Sequence, residues 1–173
     1  QAGGRVSVGS AMGQALLEAT QGRVGVIFVN SAVGATTIAD WAAGGAVWSG
    51  AQAQMTDALG DIEGLNLNVI GAIGVFGQGE GDTNGGGTAA ATYKAGVLDL
   101  LSRMRSHLGL PRMKLLIAQT GAPDENESAA WFAIRGAQSE LANESDGSII
   151  MAHAGARYFP ARGLMLDNLH YVT

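Results

Sequence analysis

Between Asn68 and Asn84 an apolar run stops abruptly in Gly77-Gln78-Gly79-Glu80-Gly81-Asp82, and this junction restricts the chain more than any other stretch. Val69, Ile70, Ala72, Ile73, Val75 and Phe76 are apolar at both alternating positions, the pattern of a strand covered by helices on each face of a parallel sheet. Where the run ends, an amide and two carboxylates arrive separated by single glycines. That is the carboxyl end of a strand, where open α/β sheets hold their ligands. Glycines there let backbone and ligand come close. The same Gly-rich stretch also reads as a solvated loop, and the residues alone leave both readings open.

The flanking sequence alternates between helical and extended patterns. Ser10 to Thr20 reads as a short helix with Ser10 as its cap and Gly22 closing it. Val24 to Val29 is uniformly apolar and β-rich, a buried strand. Residues 49 to 59 are weakly helical, ended by Gly60. Past the Gly-rich loop, a helix runs from near Thr88 to about His107, with Tyr93, Val97, Leu100, Leu101 and Met104 on its apolar face, and Gly109 and Pro111 stop it. Met113 to Ala118 reads as a third strand. Ser128 to Asn143 is a helix with Trp131, Ile134, Ala137, Gln138 and Leu141 along one side, and Ser148 to Ala152 is a fourth strand followed by His153. Alternation of this kind predicts a parallel sheet wrapped by helices, with every strand's carboxyl end on one edge. Asn30 to Gly34, Gln78 to Asp82, Gln119 and His153 are then expected along one rim.

At 173 residues the chain suits a single domain, and no internal repeat or interdomain linker divides it. A net charge of -5 without a Lys/Arg cluster argues against a nucleic-acid footprint and against an anionic membrane surface. No apolar run reaches the roughly 18 residues of a membrane-spanning helix. Cysteine is absent, so neither a disulfide framework nor a cysteine zinc site is available. The chain opens on Gln1 and stops at Thr173 without a closing helix, and both ends look cut, as in a segment of a longer polypeptide.

Several residues carry candidate chemistry. Asp167 lies three residues before His170, close enough for a carboxylate to accept from the imidazole and set its tautomer, as a general base requires. The same spacing also occurs in surface turns. His107, near a helix carboxyl terminus, reads as structural. His153 could face the same rim as His170. Trp41 is placed to floor a sugar or acyl pocket, and Trp41 and Trp48 serve equally as packing anchors. Ser10 and Ser31 are the serines to consider as nucleophiles. Glu80, Asp82 and Asn84 alternate like the start of a calcium loop, but no glutamate completes it, so no metal is expected.

Four blocks then align with a known family. Ala32-Val33-Gly34-Ala35-Thr36-Thr37-Ile38 through Trp41, Gln78-Gly79-Glu80-Gly81-Asp82, Ile134-Arg135-Gly136-Ala137-Gln138, and Asp167 with His170 resemble, in order, the blocks of the sialate O-acetylesterase and acetylxylan esterase branch of the SGNH hydrolases. The resemblance implies a three-layer α/β/α sandwich with a parallel sheet, SGNH or flavodoxin-like and truncated at both ends. It implies serine-type deacetylation of an acetylated carbohydrate or polyol ester without a cofactor. By its pattern, Gly34 N–H and the Gln78 side chain would form the oxyanion hole, His170 would be the base and Asp167 its orienter. Glu80, Asp82 and Trp41 would shape the substrate rim.

The sequence departs from that family at three points. Its nucleophile block, Gly-Gln-Ser-Asn on the first strand, does not occur here, so the nucleophile is expected from sequence upstream. Ala35 stands where the family has the second glycine of Gly-Gly-Thr, and Gly81 where it has the serine of Gln-Gly-Glu-Ser-Asp. The alternative reading is a non-catalytic carbohydrate-binding or structural module of a larger assembly, such as a phage tail or surface protein. An extracellular, periplasmic or virion-associated setting is the expectation for either.

Overall fold

Three parallel strands form the sheet, in the order β1-β2-β3 and in sequence order, each followed or preceded by a helix. The computed structural model describes residues 8–83, 87–121 and 128–163. In chain order these give α1 (Val8–Ala19), a 3-10 turn at Ile38–Trp41, α2 (Ala46–Gly64), β1 (Ile73–Phe76), α3 (Glu80–Thr83), α4 (Ala90–Leu108), β2 (Lys114–Ala118), α5 (Ala129–Glu144) and β3 (Ile149–His153). Two further 3-10 turns follow, at Ala156–Tyr158 and Pro160–Arg162. This is an α/β fold built on a parallel sheet.

Register decides which side chains form the core. Gly74, Leu115 and Ile149 lie across from one another, as do Phe76, Ile117 and Met151. This face packs on α4 and α5, where Tyr93, Val97, Leu100, Ile134, Ala137 and Leu141 are each at most 2% exposed. Fully burying one such side chain contributes about 1.5–3 kcal/mol, so the α4–α5 pair is the main support of the sheet. On the opposite face Ile73 and Val75 are 58% and 57% exposed within the described residues.

Helices α4 and α5 form where the 3.6-residue spacing of apolar side chains places them. Gly109, with φ 67, caps α4 in the left-handed region that a glycine adopts at little cost. Three elements differ from expectation. The central strand is only Ile73–Phe76, because its partner β2 begins at Lys114 and offers no ladder to Val69–Ala72. Val24–Val29 forms no strand, since no described strand lies beside it. Ile27, Phe28 and Val29 stay exposed, and the Phe28 ring packs close to Gly9 and Gly13 of α1. Finally, α2 runs through Gly60, around which there is open space. A mid-helix glycine in such a place costs only about 1 kcal/mol.

Candidate active site

The polar tips of β1, β2 and β3 are tied together by hydrogen bonds at one edge of the sheet. The Gln119 N–H donates to the His153 carbonyl at 2.7 Å, and the Thr120 N–H donates to Gln138 Oε1 at 2.9 Å. Gln138 Nε2 donates in turn to the Gln78 carbonyl at 3.0 Å and to the Tyr93 hydroxyl at 3.1 Å. That hydroxyl donates to the same Gln78 carbonyl at 2.7 Å. One backbone oxygen, at the point where β1 turns toward α3, is therefore held from both α4 and α5. Burial pushes the Tyr93 phenol well above its usual range, and the charges of Asp82 and Glu80 act in the same direction against the Gln138 hydrogen bond.

Gly79 is required at this junction. Its φ is 151, and an added Cβ would stand 3.0 Å from both Gln138 Nε2 and Ile134 Cγ2. From Gln78 to Thr83 the Gly-rich stretch is consequently no solvated loop. It winds into the short helix α3, where Asp82 is 1% exposed.

Asp82 joins this junction to the early loop of the chain. Its carboxylate accepts from the Ile38 N–H at 2.9 and 3.2 Å, from the Thr88 hydroxyl at 2.6 Å and from Gln78 Nε2. Buried carboxylates persist when each oxygen is hydrogen-bonded in this way. Gln78 Nε2 also donates to the Thr36 carbonyl at 2.9 Å. Thr36 is fixed from its other side by Trp41 Nε1, which donates to the Thr36 hydroxyl at 3.1 Å. The Asp40 carboxylate accepts from the Thr37 N–H at 2.7 Å and from the Thr37 hydroxyl at 2.8 Å, and these bonds, the backbone one first, hold its carboxyl below its usual range. The loop before Trp41 is thus closed on itself and bolted to the end of β1.

The expected site residues fall into three groups. Gly34 is exposed at the turn of this loop, and its N–H has no acceptor among the described residues. Trp41 is half-buried with its ring edge-on to Phe76 at 5.6 Å, and Glu80 is half-exposed at the start of α3. Gln78 is buried with both Nε2 hydrogens directed at Thr36 and Asp82, while its Oε1 is enclosed without a partner among the described residues. Asp82, expected to shape the substrate rim, is buried with its oxygens hydrogen-bonded inside the protein, to Ile38, Thr88 and Gln78. Asp167 and His170 lie outside the described residues.

The other candidates separate from this edge. Ser10 is the third residue of α1 and not its cap. His107 bridges to α2, with Thr56 Oγ1 at 3.1 Å and Gln52 Nε2 at 3.4 Å, in a structural role. His153 is exposed at the end of β3, its ring beside Phe159 at 5.4 Å. Thr36, Thr88, Tyr93 and Gln138 complete the network and were not singled out as site residues by the sequence. Gln138 did carry a signal, because an amide in the middle of a helix's apolar stripe is a buried polar group that needs partners. Among the described residues no group of three or more His, Asp or Glu is placed to hold a metal ion, and no helix is long and apolar enough to cross a membrane.

The carbohydrate esterase family described as sialic acid-specific acetylesterase matches residues 2–171. The chain belongs to this family. No curated protein matches it significantly. Among solved structures, a protein of Arabidopsis thaliana determined by X-ray at 1.6 Å superposes with a TM-score of 0.69 at 20% identity. The match covers 96% of this chain and 61% of that one, so the chain spans under two thirds of the plant protein's length. At that identity the likeness is one of fold, and it agrees with the α/β architecture on a parallel sheet described above.

Proposed function

We propose that this chain forms the bulk of a serine-type carbohydrate O-acetylesterase, with the nucleophile contributed by sequence upstream of Gln1. The observation that carries the reading is the double attachment of the Gly34 loop to the end of β1, through the Thr36 carbonyl and the Ile38 N–H. It brings two of the blocks shared with acetylesterases into one unit and leaves the Gly34 N–H without an acceptor among the described residues. The outer edge of β1, which pairs only with β2 among the described residues, leaves room for the strand that would bear the serine.

In this reading the serine oxygen attacks the acetyl carbonyl carbon, and the carbonyl electron pair moves onto its oxygen. The Gly34 N–H donates to that oxyanion. Gln78 joins as a second donor by exchanging its bond to Thr36 for one to the substrate. Losing one such donor typically costs roughly a hundredfold to a thousandfold in rate. His170, oriented by Asp167, takes the serine proton and passes it to the departing sugar hydroxyl. Water then enters by the same route and releases acetate. Glu80 and Trp41 border the sugar. In the full-length protein, His170→Ala is expected to abolish p-nitrophenyl acetate hydrolysis with the circular dichroism spectrum unchanged. Undiminished turnover in that variant would end the assignment.

One observation favours the second reading, a non-catalytic carbohydrate-binding module: both Gln78 donors are already engaged within the protein. Full-length protein that binds an O-acetylated sugar yet releases no acetate from it over hours would support that reading over the first.

A further inference from the structure

At the opposite rim of the sheet, where β2 and β3 begin, lies an open cleft of about 340 Å³ lined by Leu98, Leu101, Ser102, Arg105, Ser106 and Pro111, with Ser145 and Ser148 closing its end. Small-molecule sites start at roughly this size, about 300 Å³. At about 3.3 Å per residue, the length of β2 separates it from the Gln78 edge, so it is not part of the candidate active site.

The cleft's polar side chains are the Arg105 guanidinium, which only donates, and four serine hydroxyls, which donate and accept. Arg105 Nε and Nη2 donate to the Met113 carbonyl at 2.9 and 2.7 Å, and Nη2 also donates to Ser148 Oγ at 3.0 Å. These bonds fix the guanidinium plane and leave Nη1 with no acceptor among the described residues. No carboxylate lies within 4 Å of Arg105 among those residues. The hydroxyls of Ser102 and Ser106 make no hydrogen bond to a described residue, and the Ser148 hydroxyl accepts from Arg105 while its own proton stays available. Only Ser145 is fully used, accepting from the Ile149 N–H and donating to the Ile149 carbonyl. In a chain with 15 acidic and 10 basic side chains, a preset cation ringed by hydroxyl donors, with no acidic side chain in the lining, is selective for negative charge. Leu98, Leu101 and Pro111 make the remaining wall apolar.

We propose that this cleft binds a small organic carboxylate, its oxygens on Arg105 Nη1 and the serine hydroxyls and its hydrocarbon body against Leu98, Leu101 and Pro111. The apolar wall favours such a ligand over a bare inorganic oxyanion. Binding there would join the carboxyl-terminal turn of α4 to the starts of β2 and β3. The inference does not rest on the esterase reading.

The test is thermal unfolding of the full-length protein at constant ionic strength with sodium butyrate, its uncharged isostere butyramide, or inorganic phosphate. Butyrate is expected to raise Tm saturably, and butyramide and phosphate are not. Arg105→Lys is expected to weaken butyrate binding at least tenfold. Ser102→Phe, at an exposed helix position, plugs the cleft without touching the Arg105 bonds and is expected to abolish the shift. An equal response to butyramide or phosphate overturns the proposal. So does a butyrate shift that survives in Ser102→Phe, which would locate binding elsewhere.

Discussion

At Gly81 an added Cβ would stand 2.9 Å from the Thr36 carbonyl carbon and nearer still to its oxygen, the oxygen that accepts from Gln78 Nε2. The obstacle is backbone, which cannot rotate aside like a side-chain tip. The departure from the family pattern at this position is therefore built into the contact between α3 and the early loop. Gly81→Ser is expected to cost about 1–3 kcal/mol, the usual penalty for overpacking, read as a lower urea midpoint. The same substitution should free the Thr36 loop, seen as faster amide exchange at Ile38. A variant of unchanged midpoint and exchange would show that the loop is not held as tightly as this contact requires.

A second departure, Ala35, sits at φ 57 beside Gly34. A left-handed backbone costs an L-residue about 1–2 kcal/mol, whereas glycine adopts it freely and loses about 0.5–1 kcal/mol of unfolded-chain entropy instead. The balance predicts that Ala35→Gly stabilises the protein by roughly 0.5–1 kcal/mol. Equilibrium denaturation of the two proteins checks the sign. A destabilised Ala35→Gly would mean that the Ala35 methyl makes a contact worth more than the strain.

Much of this molecule was legible in residue order. The borders of α4, α5, β2 and β3 fall within two residues of where apolar spacing and the Gly109, Pro111 and Ser128 signals place them. Helices α4 and α5 carry their own information, since a helix makes its hydrogen bonds within the segment. Strands do not. Val24–Val29 and Val69–Ala72 have strand composition but no described ladder partner, and composition cannot reveal a partner's register. The opposite error occurred at α3, where four residues containing Gly81 have poor helix propensity. What winds them is the Asp82 carboxylate, satisfied by Ile38, Gln78 and Thr88 from outside the segment. The rim itself was foreseeable from the alternation of elements. Of its bolts, Thr36 and Tyr93 were not, because they read as ordinary loop and core residues, and Gln138 showed only as an amide within an apolar helix stripe.

Gln138 and Tyr93 share the Gln78 carbonyl but are not equivalent. Removing the phenol in Tyr93→Phe leaves that oxygen bonded to Gln138 and should cost about 0.5–1.5 kcal/mol, one net hydrogen bond. Gln138→Leu also strands the Thr120 N–H, which is enclosed and has Gln138 Oε1 as its acceptor. That variant carries an additional desolvation cost of about 1–3 kcal/mol and should be the less stable of the two by urea titration. Because both side chains act on one oxygen, the double variant should depart from additivity by about 0.5 kcal/mol or more. Additive effects would indicate that the two side chains hold the junction independently.

The alkaline limb of stability should report Tyr93 directly. Its folded pKa lies above the value near 10.0 that it recovers when the chain unfolds, chiefly because burial disfavours the phenolate. Above about pH 10 the unfolded chain therefore loses this proton while the folded one keeps it, and the unfolded state is favoured. The contribution is fully present below pH 10 and declines progressively as pH rises beyond it. The urea midpoint is thus expected to fall between pH 9 and pH 11 in the parent protein. In Tyr93→Phe, less stable at pH 8, the fall should be distinctly shallower, so that the two proteins converge as the solution becomes more alkaline. Parallel curves would mean that the loss arises elsewhere and that the Tyr93 proton is not what secures the Gln78 carbonyl.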